Sequence, residues 1–138
     1  MADLVGTCPK DFFIKWIAEG DAAGDSETGE EYGWYTADSM VLAIKPRDRF
    51  YVVAWGRLRG WAPVTRIADA GRGNYVICRR GNAVACTVDF KIPGFRGLKK
   101  RWWPREDERP FPDWRTAGVG NATAPSRDAS LFDAVKYP

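Results

Sequence analysis

The chain has 138 residues, of which 45% are hydrophobic, 28% charged and 14% aromatic, with a formal net charge of +3; this fits one compact domain. It holds no histidine and only three cysteines, Cys8, Cys78 and Cys86, which excludes the Ser-His-Asp triad, the Cys-His dyad and a zinc site of paired CxxC or HxxxH ligands, so no metal or other cofactor is expected. No apolar run approaches the roughly 18 residues of a membrane span, and the opening MADLVGTCPK lacks the layout of a signal peptide, so the expectation is a cytoplasmic protein with free thiols and no membrane partner.

Pro9 followed by KDFFIKWIAEG predicts an N-terminal helix: proline suits the first helical position, Asp11 the positive end of the dipole and Gly20 the stop. Phe13, Trp16 and Ile17 share one face of that helix and should pack on a sheet. The acidic, glycine-punctuated stretch at about 20–33 has no periodicity and is expected to be an exposed loop. Strands are then expected from Trp34 to Thr36, Val41 to Ile44, Arg49 to Trp55, Leu58 to Ile67, Tyr75 to Arg79 and Ala83 to Asp89. The turn signals between them, such as Gly71-Arg72-Gly73-Asn74 and Gly81-Asn82, are short enough to make neighbours antiparallel. Gly60 marks a bulge or bend that would curl the sheet, and Pro63 needs an edge or bulge position. The segment at about 91–125 is rich in proline and glycine and reads as irregular, with one further strand from Lys100 to Trp103; a short helix is expected from Asp128 to Val135. The fold class that follows is α+β: a small curled antiparallel sheet or β-barrel, with an N-terminal helix and a short C-terminal helix, as one domain over 1–138.

Charge is segregated along this chain. Residues 1–40 carry two basic and nine acidic side chains, net −7; residues 41–105 carry fifteen and three, net +12; residues 106–138 carry four and six, net −2. A basic middle of this kind attracts a phosphate backbone, because neutralising phosphates releases condensed counterions. Three groups of side chains stand out within or beside it. Between Lys91 and Arg105 lie six basic residues and no acid, with Phe95, Trp102 and Trp103 among them. Cations that track a backbone, interleaved with rings on which bases stack, are what single-stranded or extruded nucleotides require. Trp55, Arg57, Arg59 and Trp61 alternate, and in one extended strand they would share a face able to stack a ring and clamp a phosphate. Trp34 and Tyr35, with Trp55, offer walls of an aromatic pocket. Each group also has a structural reading, since large aromatics are ordinarily buried and exposed ion pairs are common and weak.

The run Lys45-Pro46-Arg47-Asp48-Arg49-Phe50-Tyr51-Val52-Val53, followed by Arg57-Leu58-Arg59-Gly60-Trp61-Ala62-Pro63-Val64-Thr65-Arg66-Ile67, resembles the PUA-like superfamily, in particular its ASCH and EVE branches. The Lys45 to Val53 run is similar to that family's Gly-Asp-Arg turn leading into a hydrophobic strand, and the Arg57 to Ile67 run is similar to its strand with one glycine and alternating Val and Ile. The resemblance implies a small β-barrel with helices on its rim and a concave site beside it, used by relatives to bind RNA, or DNA with a flipped modified base. Arg47 stands where the family usually has glycine, and the G-x-K-x-x-E-x-R signature of a typical ASCH domain is missing.

The reading that results is nucleic-acid binding, RNA or DNA, through a basic, aromatic-lined surface that recognises a single or modified base. Its expected contacts are Arg57, Arg59, Trp61, Lys99, Lys100, Arg101, Trp102 and Trp103, with Trp34, Tyr35 and Trp55 as the aromatic pocket. The runner-up is a protein-interaction module of the phage or mobile-element accessory or inhibitor kind, since tryptophan and arginine are interface hot-spot residues. A small amidohydrolase on the ASCH-like scaffold is the third, and it needs a lysine and a carboxylate within reach of each other in one pocket. No catalytic residue is assigned, because the carboxylates at Glu30-Glu31 and Glu106-Asp107-Glu108 lie in loop-like sequence and Cys8 has no histidine to act as its base.

Overall fold

A computed structural model describes residues 2–8, 14 and 31–116. Its elements are β1 (Leu4–Thr7), β2 (Glu31–Thr36), a 3-10 turn at Ser39–Ala43, β3 (Arg49–Ala54), β4 (Arg57–Gly71), β5 (Asn74–Arg80), β6 (Val84–Thr87), β7 (Leu98–Lys100), a 3-10 turn at Arg105–Asp107 and β8 (Arg109–Pro110). The strands run in the order β2-β5-β4-β3-β1-β7, with β6 pairing β4 and β8 off that path. β1 pairs with β3 in parallel and with β7 antiparallel. The expected α+β class and the curled antiparallel sheet or barrel therefore give way to a mostly-β fold built on an open, mixed sheet. The helix expected from Pro9 to Gly20 lies outside the described residues apart from Ile14, and so does the one expected from Asp128 to Val135. Among the described residues no helix is long and apolar enough to cross a membrane.

The β3 sequence, RFYVVA, explains the centre of this sheet. A strand buried on both faces needs a nearly continuous apolar run, and from Phe50 to Ala54 every residue of β3 is fully buried. Alternation then sorts the core into two layers. Leu4, Phe50 and Val52 face one side with Val41, Ile44, Trp55, Ile77 and Trp114, whereas Val5, Tyr51 and Val53 face the other with Leu58, Val88, Ile92 and Trp103. Gly6 lets β1 sit in this sandwich, because a Cβ there would lie 3.0 Å from Trp34 Cζ2 and 3.1 Å from Phe50 Cζ.

Three segments depart from expectation for local reasons. The strand expected from Val41 to Ile44 is replaced by the 3-10 turn Ser39–Ala43 and its cap Ile44: the Asp38 carboxylate accepts from the Met40 N–H at 2.9 Å, and Val41 and Ile44, three apart, face the core together. The acidic loop ends earlier than expected, because Glu31, Tyr32 and Gly33 already belong to β2; the remainder of that loop lies outside the described residues. Finally, the irregular segment after residue 91 contains β7 and β8, and its strand is Leu98–Lys100, so Trp102 and Trp103 lie beyond it.

Candidate nucleic-acid interface

The two basic-aromatic groups in the chain are placed very differently. Trp55 and Gly56 both have positive φ, 52° and 71°, the signature of a type I′ hairpin turn, and Ala54 pairs with Arg57 across it. The register then slips between Val52 and Val53, opposite Gly60 and Leu58, so Arg59 is the extra residue of a bulge. Turn and bulge together destroy the alternation that would have put Trp55, Arg57, Arg59 and Trp61 on one face. Trp55, Arg57 and Arg59 are buried. The Arg59 guanidinium donates to the carbonyls of Ala54 at 2.8 Å, Trp114 at 3.2 Å and Thr116 at 3.1 Å, and lies 5.3 Å from the centre of the Trp55 ring. These are structural uses that hold the β3–β4 hairpin to the chain after β8. Trp61 is half-buried, covered by the Arg49 guanidinium 3.9 Å above its ring.

The aromatic pocket is not assembled either. Trp34 stacks edge-on against Phe50 at 5.1 Å on the core side of β2, while Tyr35, on the opposite face of the same strand, is 76% exposed. Trp55 belongs to the same core layer as Trp34.

The arm from Lys91 to Arg105 has the opposite character. Its proline and glycine content denies it regular structure, so its backbone is held by hydrogen bonds to the body. The N–H of Ile92 donates to the Gly56 carbonyl at 2.9 Å, that of Phe95 to Thr7 Oγ1 at 3.2 Å, that of Leu98 to Asp38 Oδ2 at 3.2 Å and that of Arg101 to the Asp3 carbonyl at 3.0 Å. With Ile92 and Leu98 buried as plugs, Lys91, Arg96, Lys99, Lys100 and Trp102 face outward. β7 is an edge strand, and alternation sends Lys99 and Lys100 to opposite faces of it. Lys99 sits on the side of Phe95 and Trp102, with its ammonium 4.7 Å and 5.8 Å from the two ring centres. Trp102 is 49% exposed and meets Phe95 edge-on at 6.3 Å.

Adjacent Trp103 points inward. It is buried against Trp102, Tyr51 and Phe90, and its indole N–H donates to Glu108 at 2.9 Å. Glu108 also accepts from the Tyr51 hydroxyl at 2.5 Å and from Arg49 at 3.1 Å. Burial, and then the hydrogen bond to Glu108, push the Tyr51 phenol well above its ordinary range, so it serves as a neutral donor.

Arg101 is tied to the body through Asp3. The buried Asp3 carboxylate accepts from Arg101 Nε at 3.1 Å, from Arg105 Nη2 at 2.7 Å and from the Arg49 N–H at 3.0 Å. Arg101 also donates to the Trp103 carbonyl. Burial alone would raise the Asp3 carboxyl, but these three donors together hold it below its ordinary value. The acid therefore clips two arginines side by side at the root of the arm. Sequence reading misses Asp3 and sets Glu108 aside as a loop carboxylate, although Glu108 accepts from Arg49, Tyr51 and Trp103; the one signal for both is that the six cations between Lys91 and Arg105, with no acid among them, need counter-charges from elsewhere.

A cavity of about 480 Å³ opens beside the arm, lined by Phe90, Asp89, Glu106, Asp107, Glu108 and Arg109 among others. Its cation is an arginine, paired with Asp89 at 2.5 Å, so the lysine-carboxylate pair an amidohydrolase requires is not assembled there. Among the described residues no three His, Cys, Asp or Glu side chains converge as a metal would need. No protein-family model, no characterised protein and no solved structure matches this chain.

Proposed function

We propose that the chain binds single-stranded or locally opened nucleic acid on the arm, with one unpaired base stacked on Trp102 and the phosphate backbone drawn by Lys91, Arg96, Lys99 and Lys100. The observation that carries this reading is the exposure of Trp102, at 49%, next to Phe95 and beneath the Lys99 ammonium. A half-exposed indole with a cation 5.8 Å from its ring centre offers a base an aromatic surface and a partner for its phosphate. Of the contacts expected from sequence, Lys99, Lys100 and Trp102 remain in the site; Arg101 supports it from below, and Arg57, Arg59, Trp61, Trp103 and the pocket of Trp34, Tyr35 and Trp55 leave it. The setting we propose is cytoplasmic, in keeping with three cysteines that are all free and buried.

Fluorescence anisotropy with labelled oligo(dT), oligo(U) and a DNA duplex of equal length, at two salt concentrations, tests this. Single strands should bind more tightly than the duplex. Lys99→Ala and Lys100→Ala should each lower the slope of log affinity against log salt by about 0.7. Absence of salt-dependent binding would sink the reading, and a stoichiometric protein partner that survives nuclease treatment would replace it.

A further inference from the structure

We infer that Arg47 is a further phosphate contact, which carries the nucleic-acid surface from the arm around the end of the sheet; this rests on the function proposed above. Arg47 is the third residue of the turn Lys45-Pro46-Arg47-Asp48, closed by the Asp48 N–H donating to the Lys45 carbonyl at 2.9 Å. Its φ is +79°, the conformation in which a type II turn favours glycine. The turn is fastened on both sides: the Arg47 N–H donates to the Val64 carbonyl at 2.9 Å, and the Val64 N–H to the Asp48 carbonyl at 2.8 Å. Those bonds are made by backbone and would survive with glycine in place. The Arg47 side chain is exposed, so it adds nothing to the core in return for the left-handed backbone. Positive φ alone does not mark a site, since Trp55, Arg72 and Asn82 share it; the neighbours of Arg47 set it apart.

The surroundings point to an anion. Asp48 Oδ2 accepts from the Ala2 N–H at 3.2 Å and from the Lys45 N–H at 2.9 Å. The residue after Ala2, Asp3, joins the Arg49 backbone to the Arg101 and Arg105 guanidiniums. The turn, the start of β1 and the root of the arm are therefore side by side. At this edge the two acids, Asp3 and Asp48, are 4% and 6% exposed and engaged inward, while Lys45, Arg47 and Lys100 are exposed. Three exposed cations, Lys45, Arg47 and Lys100, thus lie along this edge, and a strand of nucleic acid rounding it from the arm would meet Arg47.

The protein supplies its own control. Arg72 is also an exposed arginine at positive φ, +57°, but it caps the β4–β5 hairpin at the far end of β4, roughly 25 Å along the strand from Pro63, the residue paired with Arg49. Arg47→Gly and Arg72→Gly remove the same charge and relieve the same kind of backbone strain. Against labelled oligo(dT), Arg47→Gly should bind about fivefold more weakly with a salt slope lower by about 0.7, and with an unchanged or higher melting temperature. Arg72→Gly should bind as the wild type does. Arg47→Gln, which keeps a side chain on the strained backbone and removes only the charge, should match Arg47→Gly in affinity. If the wild type binds and Arg47→Gln binds equally well, this inference falls while the arm stands. If the wild type shows no salt-dependent binding, both fall.

Discussion

The β3–β4 hairpin and the arm carry nearly the same chemistry in sequence, two or three cations set among tryptophans, and use it in opposite ways. In the hairpin the guanidinium of Arg59 is turned onto three main-chain carbonyls and two aromatic rings, and water is excluded. In the arm the N–H groups of Ile92, Phe95, Leu98 and Arg101 donate to the body, and Lys99, Lys100 and Trp102 stay outside. The difference lies in where acceptors meet the cations: three carbonyls hold the Arg59 guanidinium inside, whereas the Lys99 and Lys100 ammoniums stay in solvent.

The sharpest way to break that contrast is to truncate the buried member. Arg59→Ala leaves the carbonyls of Ala54, Trp114 and Thr116 without these donors and opens a cavity beside Trp55 and Phe111. A loss of about 3 to 5 kcal/mol in urea-denaturation stability is expected. The oligonucleotide affinity of the fraction that still folds should be unchanged. If instead stability holds and affinity falls, Arg59 belongs to the site and the division between the two regions is wrong.

The next effect in size is at the clip. Asp3→Asn keeps the shape but removes the charge that Arg101 and Arg105 share, with an expected cost of about 2 kcal/mol at neutral pH. The pH dependence has a definite sign. The folded Asp3 pKa lies below that of the unfolded chain, so its contribution is complete above the ordinary aspartate value of about 3.9 and is lost as pH falls through the folded value. The stability gap between wild type and Asp3→Asn should therefore be constant from neutral to mildly acidic pH and close only in strong acid. A gap that closes near neutrality would assign the effect to some other group.

How far the sequence carries the fold and the site follows from the same distinction between local and distant causes. β3, β4 and β5 are legible because β-branched runs bounded by Gly-rich turns are local signals, and Gly71, Gly73, Gly81 and Asn82 in those turns adopt the positive φ such residues favour. The exposed cations of the arm are legible for the same reason. Val41 to Ile44 reads as a strand but is not one, because the Asp38 cap outweighs a short apolar run. β1 escapes notice since four residues, Leu4–Thr7, carry no periodicity, and its parallel pairing with β3 depends on residues more than forty positions away. The Trp55 to Trp61 face fails because one bulge at Arg59, beside the Gly60 that marks a bulge or bend in the sequence, flips every later side chain. Asp3 reaches Arg101 across 98 positions, a contact that no local pattern encodes.

The adjacent tryptophans give the finest test, since they differ in nothing but the side to which the chain turns them. Trp103→Ala removes a buried ring from the Tyr51 and Phe90 layer and takes one donor from Glu108, for an expected loss of about 3 to 5 kcal/mol. Trp102→Ala removes a ring already half in water, so the melting temperature should barely move, with a stability change within about 0.5 kcal/mol. Its expected effect is on binding, where loss of one stacked base corresponds to about 1 to 3 kcal/mol, or roughly five- to 150-fold in affinity for oligo(dT). Trp102→Phe should recover much of that, because a phenyl ring still stacks, whereas Trp102→Leu, comparably apolar but without a π-face, should not. If leucine restores binding as well as phenylalanine does, the indole is acting as a greasy cover over Phe95 and Lys99, and the arm is a second structural use of the same residues.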